Sequence, residues 1–329
     1  MTMRALPGER HRLGLGLLAV GLAVLPYLLG NEYYLTVLIV GGLNATLTLG
    51  LCLLMGYAGQ VSLGHAAFYG LAAYTTGILT ATWRWPVAAG MAVAIGLVVV
   101  VASLIAVPTL RLRGHYLAMG TLGFGLIVYT VFNEATRLTG GPSGLTGIPK
   151  LTIAGWTPSS DREMYYLTWG VTLSLFLAAQ NLVRSRIGRA LRAIHASETA
   201  AEALGVDTQR YKSAIFVLSA AYAAVAGVLY AHYVTFVSPG SFGFHASVQL
   251  VTMVVLGGMG SLWGALAGAL FLTVLPEVLR AIEDYDILIY GALLILCMMF
   301  LPGGLAQGAE RAVGWIRAHL HHPRQRAAA

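Results

Sequence analysis

Few residues in this chain are of a type that could do chemistry, and most of them lack the partners that chemistry needs. Ser62 and His65 stand three apart in GYAGQVSLGHAAF (56–68), a spacing open to a nucleophile and its base. No carboxylate lies nearby to orient the histidine, and there is no Gly-x-Ser-x-Gly elbow, so a hydrolytic dyad lacks two of its parts. A P-loop would need Gly-Lys-Ser/Thr. Of the lysines, Lys150 follows Pro149 and Lys212 follows Tyr211, so ATP is not held by that motif. No His-Glu-x-x-His occurs, and His319, His321 and His322 have no cysteine or acidic residue to complete a metal set. They read as a solvated terminus, and no metal site is expected. Cys52 and Cys297 sit in apolar runs without zinc or disulfide spacing. Gly14 to Ala19 matches a loose dinucleotide fingerprint, but no strand precedes it.

What must position the remaining polar groups is a set of apolar helices. With 57% hydrophobic and 10% charged residues, the chain falls far from a soluble domain, which carries about 25% charge. A mean hydropathy of +0.75 and repeated apolar runs of about 20 residues predict an all-α polytopic membrane bundle. The runs are 13–29, 35–55, 61–82, 87–107, 116–133, 165–183, 213–236, 247–260, 261–280 and 287–302. They give about ten spans, eight if the interrupted third and the short eighth are re-entrant. The first run follows Arg4, Arg10 and Arg12 but shows no small-x-small cleavage site, so it reads as a retained span. Three parts follow: a cytoplasmic N-terminus (1–12), a transmembrane domain (13–303) and a basic cytoplasmic tail (304–329).

The charges orient this bundle. The net charge of +7 raises nucleic acid as a partner, but its distribution follows membrane topology. With both termini in the cytoplasm and ten crossings, only Arg84, Arg137, Lys150, Arg162 and Arg280 of the twenty basic residues fall outside. Two long segments lie between spans. The external one, 134–164, contains the turn-forming TGGPSGLTGIP (139–149). The cytoplasmic one, 184–212, holds Arg184, Arg186, Arg189, Arg192, Arg210 and Lys212.

The spans themselves are nearly free of charge. Glu277, after Pro276, lies near the outer end of its run, and Glu283, Asp284 and Asp286 form an external acidic turn. Each central charge costs roughly 2.5–3.5 kcal/mol, and leaving them out suits a passive path rather than an ion-coupled one. Two glycine-rich breaks interrupt the runs: Gly56, Gly59 and Gly64 in the first, Gly257, Gly258 and Gly260 in the second. Unwound backbone can serve a polar solute. Close helix packing is the other reading, with Gly260, Gly264 and Gly268 as a ridge. Asn44, Gln60, Ser62, His65 and Gln249 are the candidate polar lining of a translocation path; interhelical hydrogen bonding is the alternative for Asn44 and Gln249.

Within 184–212, Ile187, Leu191 and Ile194 repeat at i, i+4 and i+7, which predicts an amphipathic helix at the interface. A very short second helix follows. Ser197 or Thr199 can cap it, with Thr199-Ala-Ala-Glu202 as a capping box, and Gly205 can end it in a left-handed turn. Asp207 can cap the next span. Such a short helix is marginal alone and would gain stability by docking into a partner.

At these residues the chain resembles the permease subunits of ATP-binding-cassette importers, whose coupling loop carries Glu-Ala-Ala, a few residues, then Gly. The match is Glu198-Thr-Ala200-Ala201-Glu202-Ala-Leu-Gly205, with one residue inserted after Glu198, so the family's acidic role falls to Glu198 or Glu202. GYAGQVSLGHAAFYGLAAY (56–74), LTGGPSGLTGIP (138–149), GRALRAIHASETAAEALGVDTQRYK (188–212) and VVLGGMGSLWGALAGA (254–269) resemble the branched-chain amino-acid importer permeases over about 35–305. The resemblance implies a second homologous permease, two cytoplasmic ATPases carrying ATP and Mg, an extracytoplasmic binding protein, and a bacterial or archaeal inner membrane. No cofactor is expected on this chain. Urea and short-chain amide importers have closely similar permeases. An ion-coupled carrier would need an intramembrane ion site, and a membrane enzyme would rest on Ser62 and His65 alone.

Overall fold

The computed structural model describes residues 7–28, 32–109, 114–152, 155–158, 160–279 and six separate positions between 291 and 308. Among these residues the chain is helical. In order the helices are α1 (Pro7–Leu28), α2 (Glu32–Cys52), α3 (His65–Gly77), α4 (Val87–Thr109), α5 (His115–Glu134), α6 (Thr136–Thr139), α7 (Asp161–Arg184), α8 (Arg186–Ala196), α9 (Glu198–Ala203), α10 (Thr208–Val234), α11 (Phe244–Gly257) and α12 (Leu262–Leu279). The described residues hold no strand, and Leu145 and Val237 form an isolated bridge.

Seven of the segments are long and apolar enough to cross a membrane by length and composition. They are Glu32–Tyr57, Val87–Pro108, His115–Glu134, Asp161–Arg184, Thr208–Val234, Pro239–Gly257 and Leu262–Leu279. Of the ten expected runs, the first contributes α1, whose apolar part is the short Leu18–Tyr27. The third begins at His65 rather than at residue 61, because 61–64 is non-helical. The tenth run, apart from three isolated helical positions, lies outside the described residues. So do Arg4, Arg111, Arg113, Arg280, Glu283, Asp284, Asp286, Cys297 and the tail beyond residue 308.

The core is built on α2, α3 and α10, which are buried along most of their length. These helices are rich in small residues, and that sets how close they come. A Cβ on Gly227 of α10 would lie 2.3 Å from the carbonyl oxygen of Tyr69 on α3, so the two backbones are in direct contact. The Ala72 methyl lies 3.0 Å from the same position, and Ala73, Ala223 and Ala226 on these helices are buried too. In a bilayer, such close approach replaces the hydrophobic drive that lipid removes. Hydroxyls and amides then pin the outer helices. The Thr172 hydroxyl lies 2.9 Å from that of Thr46 and donates to the carbonyl of Gly42 at 3.1 Å, while Trp169 Nε1 donates to the carbonyl of Leu38 at 3.1 Å. Asn44 Nδ2 donates to Thr273 Oγ1 at 2.9 Å, joining α2 to α12. By contrast α4 and α5 expose Val100, Leu104, Met119 and Ile127, an apolar flank suited to lipid.

The turn-rich 139–149 stretch folds inward. Ile148 and Leu151 are buried, and Leu145 pairs with Val237 through backbone bonds of 2.8 and 3.1 Å. His232 fixes this segment to the core. Its Nδ1 faces the Pro149 carbonyl at 2.8 Å, so Nδ1 carries the proton, and Nε2 accepts from Thr76 Oγ1 at 2.8 Å.

Candidate functional site

The loop between α7 and α10 is a chain of capped helices. Ser185 caps α8, accepting from the Ile187 N–H at 3.1 Å. The buried face of α8 is Gly188, Leu191 and Ile194. Ile187, expected on that face, is exposed; Gly188 faces inward instead, so close to α7 that an added Cβ would lie 2.1 Å from the Val183 carbonyl oxygen. Helix α9 is capped by Ser197, whose Oγ accepts from Ala200 N at 3.3 Å. The alternative cap at Thr199 does not form, and with it goes the capping box. The Glu202 carboxylate instead accepts from Thr208 Oγ1 at 2.7 Å.

Gly205 ends α9 as expected, with φ of 82°. The Gly205 N–H bonds Glu202 O at 2.9 Å and the Val206 N–H bonds Ala201 O at 3.0 Å, the paired bonds of a Schellman turn. Asp207 then caps α10, accepting from Arg210 N at 3.1 Å. A long-range pair completes the unit. Lys212 Nζ, nearly buried in the first turns of α10, reaches Glu198 Oε1 at 2.6 Å. Only Ala201 of α9 is buried; Ala200, Glu202, Ala203 and Gly205 face out, and Leu204 is 83% exposed.

Helix α8 leans on the first glycine-rich break. A Cβ on Gly59 would lie 3.4 Å from His195 Cγ. Before the break, α2 loosens into a π turn over Leu53–Tyr57. After it, Ser62, His65 and Ser219 form a buried row: His65 Nδ1 lies 2.9 Å from Ser62 Oγ, and Nε2 lies 2.6 Å from Ser219 Oγ on α10. Gln60 is also buried, and neither of its side-chain polar atoms makes a hydrogen bond among the described residues. Gly64 packs on α5, where an added Cβ would lie 2.5 Å from the Thr121 carbonyl oxygen.

The second break meets the first. A Cβ on Gly56 would lie 2.4 Å from Gly260 N, which puts two segments two hundred residues apart in backbone contact. Gly258 and Gly260 have φ of 114° and 89°, and a Cβ on Gly257 would lie 2.1 Å from the Gly264 carbonyl oxygen. The turn between α11 and α12 is therefore tight backbone on backbone.

Farther along the same helices, towards the end that carries the 139–149 stretch, a cavity of about 440 Å³ opens between α2, α11 and α12. Asn44 and Gln249 line it, together with Thr273 and Glu277. Tyr33 donates its hydroxyl to Glu277. Gln60, Ser62 and His65 are not in its lining. The five polar path candidates thus divide into a cavity pair and a break trio. Among the described residues no group of histidine, cysteine and acidic side chains could hold a metal ion.

The family model for the branched-chain amino-acid transport system permease component matches residues 33–298. The chain belongs to that permease family. Among curated relatives, it is 38% identical to the high-affinity branched-chain amino-acid transport system permease protein LivM of Escherichia coli K12, over 79% of this chain and 66% of LivM. The chain thus spans just under two thirds of the length of that relative. It is 30% identical to LivH of the same strain, over 80% of this chain and 91% of LivH. The autoinducer 2 import system permease protein LsrC of an Enterobacter strain is 29% identical over 77% of this chain. No solved structure matches.

As a multi-pass membrane permease, the chain has features that its sequence pattern did not single out. Lys212, counted among the orienting charges, is the inner anchor of α9. Its partner lies fourteen residues away, beyond any helical spacing. Ser219, Thr208, Thr273 and Tyr33 carry hydrogen bonds that no local motif marks.

Proposed function

We propose that this chain is a transmembrane subunit of an ATP-driven importer and forms the translocation path for branched-chain, hydrophobic amino acids. ATP and Mg are bound and hydrolysed by two cytoplasmic ATPase subunits, a second homologous permease completes the path, and an extracytoplasmic protein delivers the solute. The membrane is a bacterial or archaeal inner membrane. The bundle crosses it about ten times with both termini in the cytoplasm, a reading supported by the bias of basic residues.

The observation that carries this reading is α9. A six-residue helix has little stability of its own. Here it is capped at both ends, tied to α10 by Lys212–Glu198 and Thr208–Glu202, and left uncovered on its outer face. Rigid attachment behind and an open face in front suit a part that receives a push from the ATPase. Ala200, Glu202 and Gly205 face that partner; Glu198 and Ala201 hold the helix to the permease. Helix α8 passes displacement to the first break through His195 and Gly59, and that break touches the second.

The test is reconstitution with the cognate ATPases and binding protein, with uptake of labelled leucine measured against urea. Leucine uptake is expected to exceed urea uptake. Replacing Glu202 and Gly205 with Arg should lower uptake on the order of tenfold or more while ATP hydrolysis and membrane insertion persist. Normal uptake in that variant would reduce the loop to a topological anchor.

A further inference from the structure

Helix α9 is joined to α10 by two side-chain bonds, one turn apart on each helix. Glu198 pairs with Lys212 at 2.6 Å, and Glu202, four residues on, accepts from Thr208, four residues back, at 2.7 Å. Residues four apart share a helix face, so the two bonds clasp α9 along the first turns of α10. The link through the chain is looser. It runs through Gly205, with φ of 82° and nothing within 4 Å of an added Cβ among the described residues. The peptide link alone would let α9 swing about that glycine, and the clasp removes the swing.

From the clasp, directed bonds continue into the core. Phe216 and Ser219 follow Lys212 at i+4 and i+7 on one stripe of α10, reaching about 10 Å along it at 1.5 Å per residue. All three are buried. Phe216 meets the rings of His65 and Phe68 edge to face, with centroids 6.4 and 5.7 Å away, and Ser219 Oγ lies 2.6 Å from His65 Nε2. His65 begins α3, and its other ring nitrogen lies 2.9 Å from Ser62 Oγ, inside the first break.

The other link between the basic loop and the break is of a different kind. His195 of α8 stands against Gly59, where an added Cβ would lie 3.4 Å from the ring, and the two are held by van der Waals contact. Such a contact resists compression steeply but yields little attraction once the surfaces part. An ion pair and hydrogen bonds hold against separation. The α8 contact can therefore push on the break, whereas the α10 line can also pull.

We propose that Lys212, Ser219 and His65 are positioning residues for the return stroke: the α8 contact drives the first break when the ATPases close, and the line from Glu198 through α10 draws it back when they open. The assignment rests on the transport reading above and adds to it the direction in which each link acts. The part that yields is the π turn at Leu53–Tyr57, where the Gln60 N–H reaches back to the Leu54 carbonyl at 3.1 Å.

The test uses the complete transporter in proteoliposomes with Val61→Cys, exposed within the break, and a water-soluble thiol reagent; the parent chain is the blank. A non-hydrolysable ATP analogue closes the ATPases, and washing it out opens them. In the Val61→Cys chain the labelling rate should change on addition and revert on removal. Glu198→Gln and Ser219→Ala each cut the line at one bond; both should keep the change on addition and slow the reversal on the order of tenfold. Leucine taken up per ATP hydrolysed should fall with it. Exchanging the pair, Glu198→Lys with Lys212→Glu, should restore the reversal, which a purely structural role for either residue does not predict. Ser219→Ala removes a single oxygen and serves if the exchanged pair does not insert. Reversal at the parent rate in Glu198→Gln and Ser219→Ala overturns the proposal. So does loss of the response to the analogue in either, since push and pull would then share one line, and so does a parent break whose labelling ignores the analogue. A complete transporter that carries no leucine overturns the transport reading, and the labelling rates then decide the return line on their own.

Discussion

The two glycine-rich breaks read alike in sequence, each a glycine turn followed by Ser-Leu and another glycine-bearing helix, yet they are built on different physics. At the first, between α2 and α3, side chains do the work. A π turn loosens the end of α2, Ser62, His65 and Ser219 form a buried polar row, and Gln60 is buried without a partner among the described residues. At the second, between α11 and α12, Ser261 Oγ accepts from the Gly264 N–H at 3.1 Å, and the rest of the turn is glycine backbone packed on backbone. Gly257 lies on the backbone of Gly264, and Gly268 lies on the backbone of Met253. One break is a polar hinge and the other a close-packed joint, and they touch at Gly56 and Gly260. The difference shows that a glycine-rich interruption in a span is not one kind of object. What decides its kind is whether its polar side chains reach another helix, as His65 reaches Ser219, or only cap the turn, as Ser261 does.

This contrast is open to direct attack. The largest effect is expected at the joint and where the hinge touches it. Gly257→Ala puts a methyl 2.1 Å from a carbonyl oxygen, and Gly56→Ala puts one 2.4 Å from a backbone nitrogen. Each should destabilise the purified permease by about 3 kcal/mol, the upper end of overpacking costs, in thermal or denaturant unfolding in detergent. Tolerance of both would mean that the breaks are free to part. A smaller loss is expected at the hinge. His65→Ala leaves two buried hydroxyls without their partner and a void behind, which should cost about 2 kcal/mol. A cost near zero would make the polar row dispensable.

Gln60→Leu is the mildest change and the sharpest discriminator. A buried carboxamide with no partner is a liability, so the apolar replacement should leave stability within about 1 kcal/mol of the parent, or raise it. If that variant also loses leucine uptake, Gln60 is kept for function rather than for folding. If it is strongly destabilised, the carboxamide has a structural partner, and the contrast between the two breaks narrows.

How much of this was legible beforehand follows the range of each signal. The caps at Ser197, Gly205 and Asp207 join residues no more than five apart, and such turns leave their marks in adjacent letters. The capping box failed for an instructive reason. Thr199 and Glu202 have the right spacing, but Ser197 starts the helix two residues earlier, and Thr208 offers the Glu202 carboxylate a hydroxyl at 2.7 Å. Lys212 shows the same limit. As a letter it is one more positive charge near a membrane, and only the packing of α9 against α10 makes it the partner of Glu198.

By itself, then, the sequence determined the class of the molecule: apolar runs separated by one basic and one turn-rich segment, few charges in the spans, and a capped short helix in the basic loop. Hydropathy, charge placement and capping chemistry are local quantities, and a bilayer makes them decisive. Tertiary structure alone decided which helices meet. In α2, α3 and α10 the apolar residues are spread around the helix rather than confined to one face, so no stripe in the sequence names the neighbour of each. Their partners were chosen by backbone approach at small residues and by single hydrogen bonds such as Asn44 to Thr273. The contact of Gly56 with Gly260, and the cavity that gathers Asn44, Gln249 and Glu277, belong to that second kind of information.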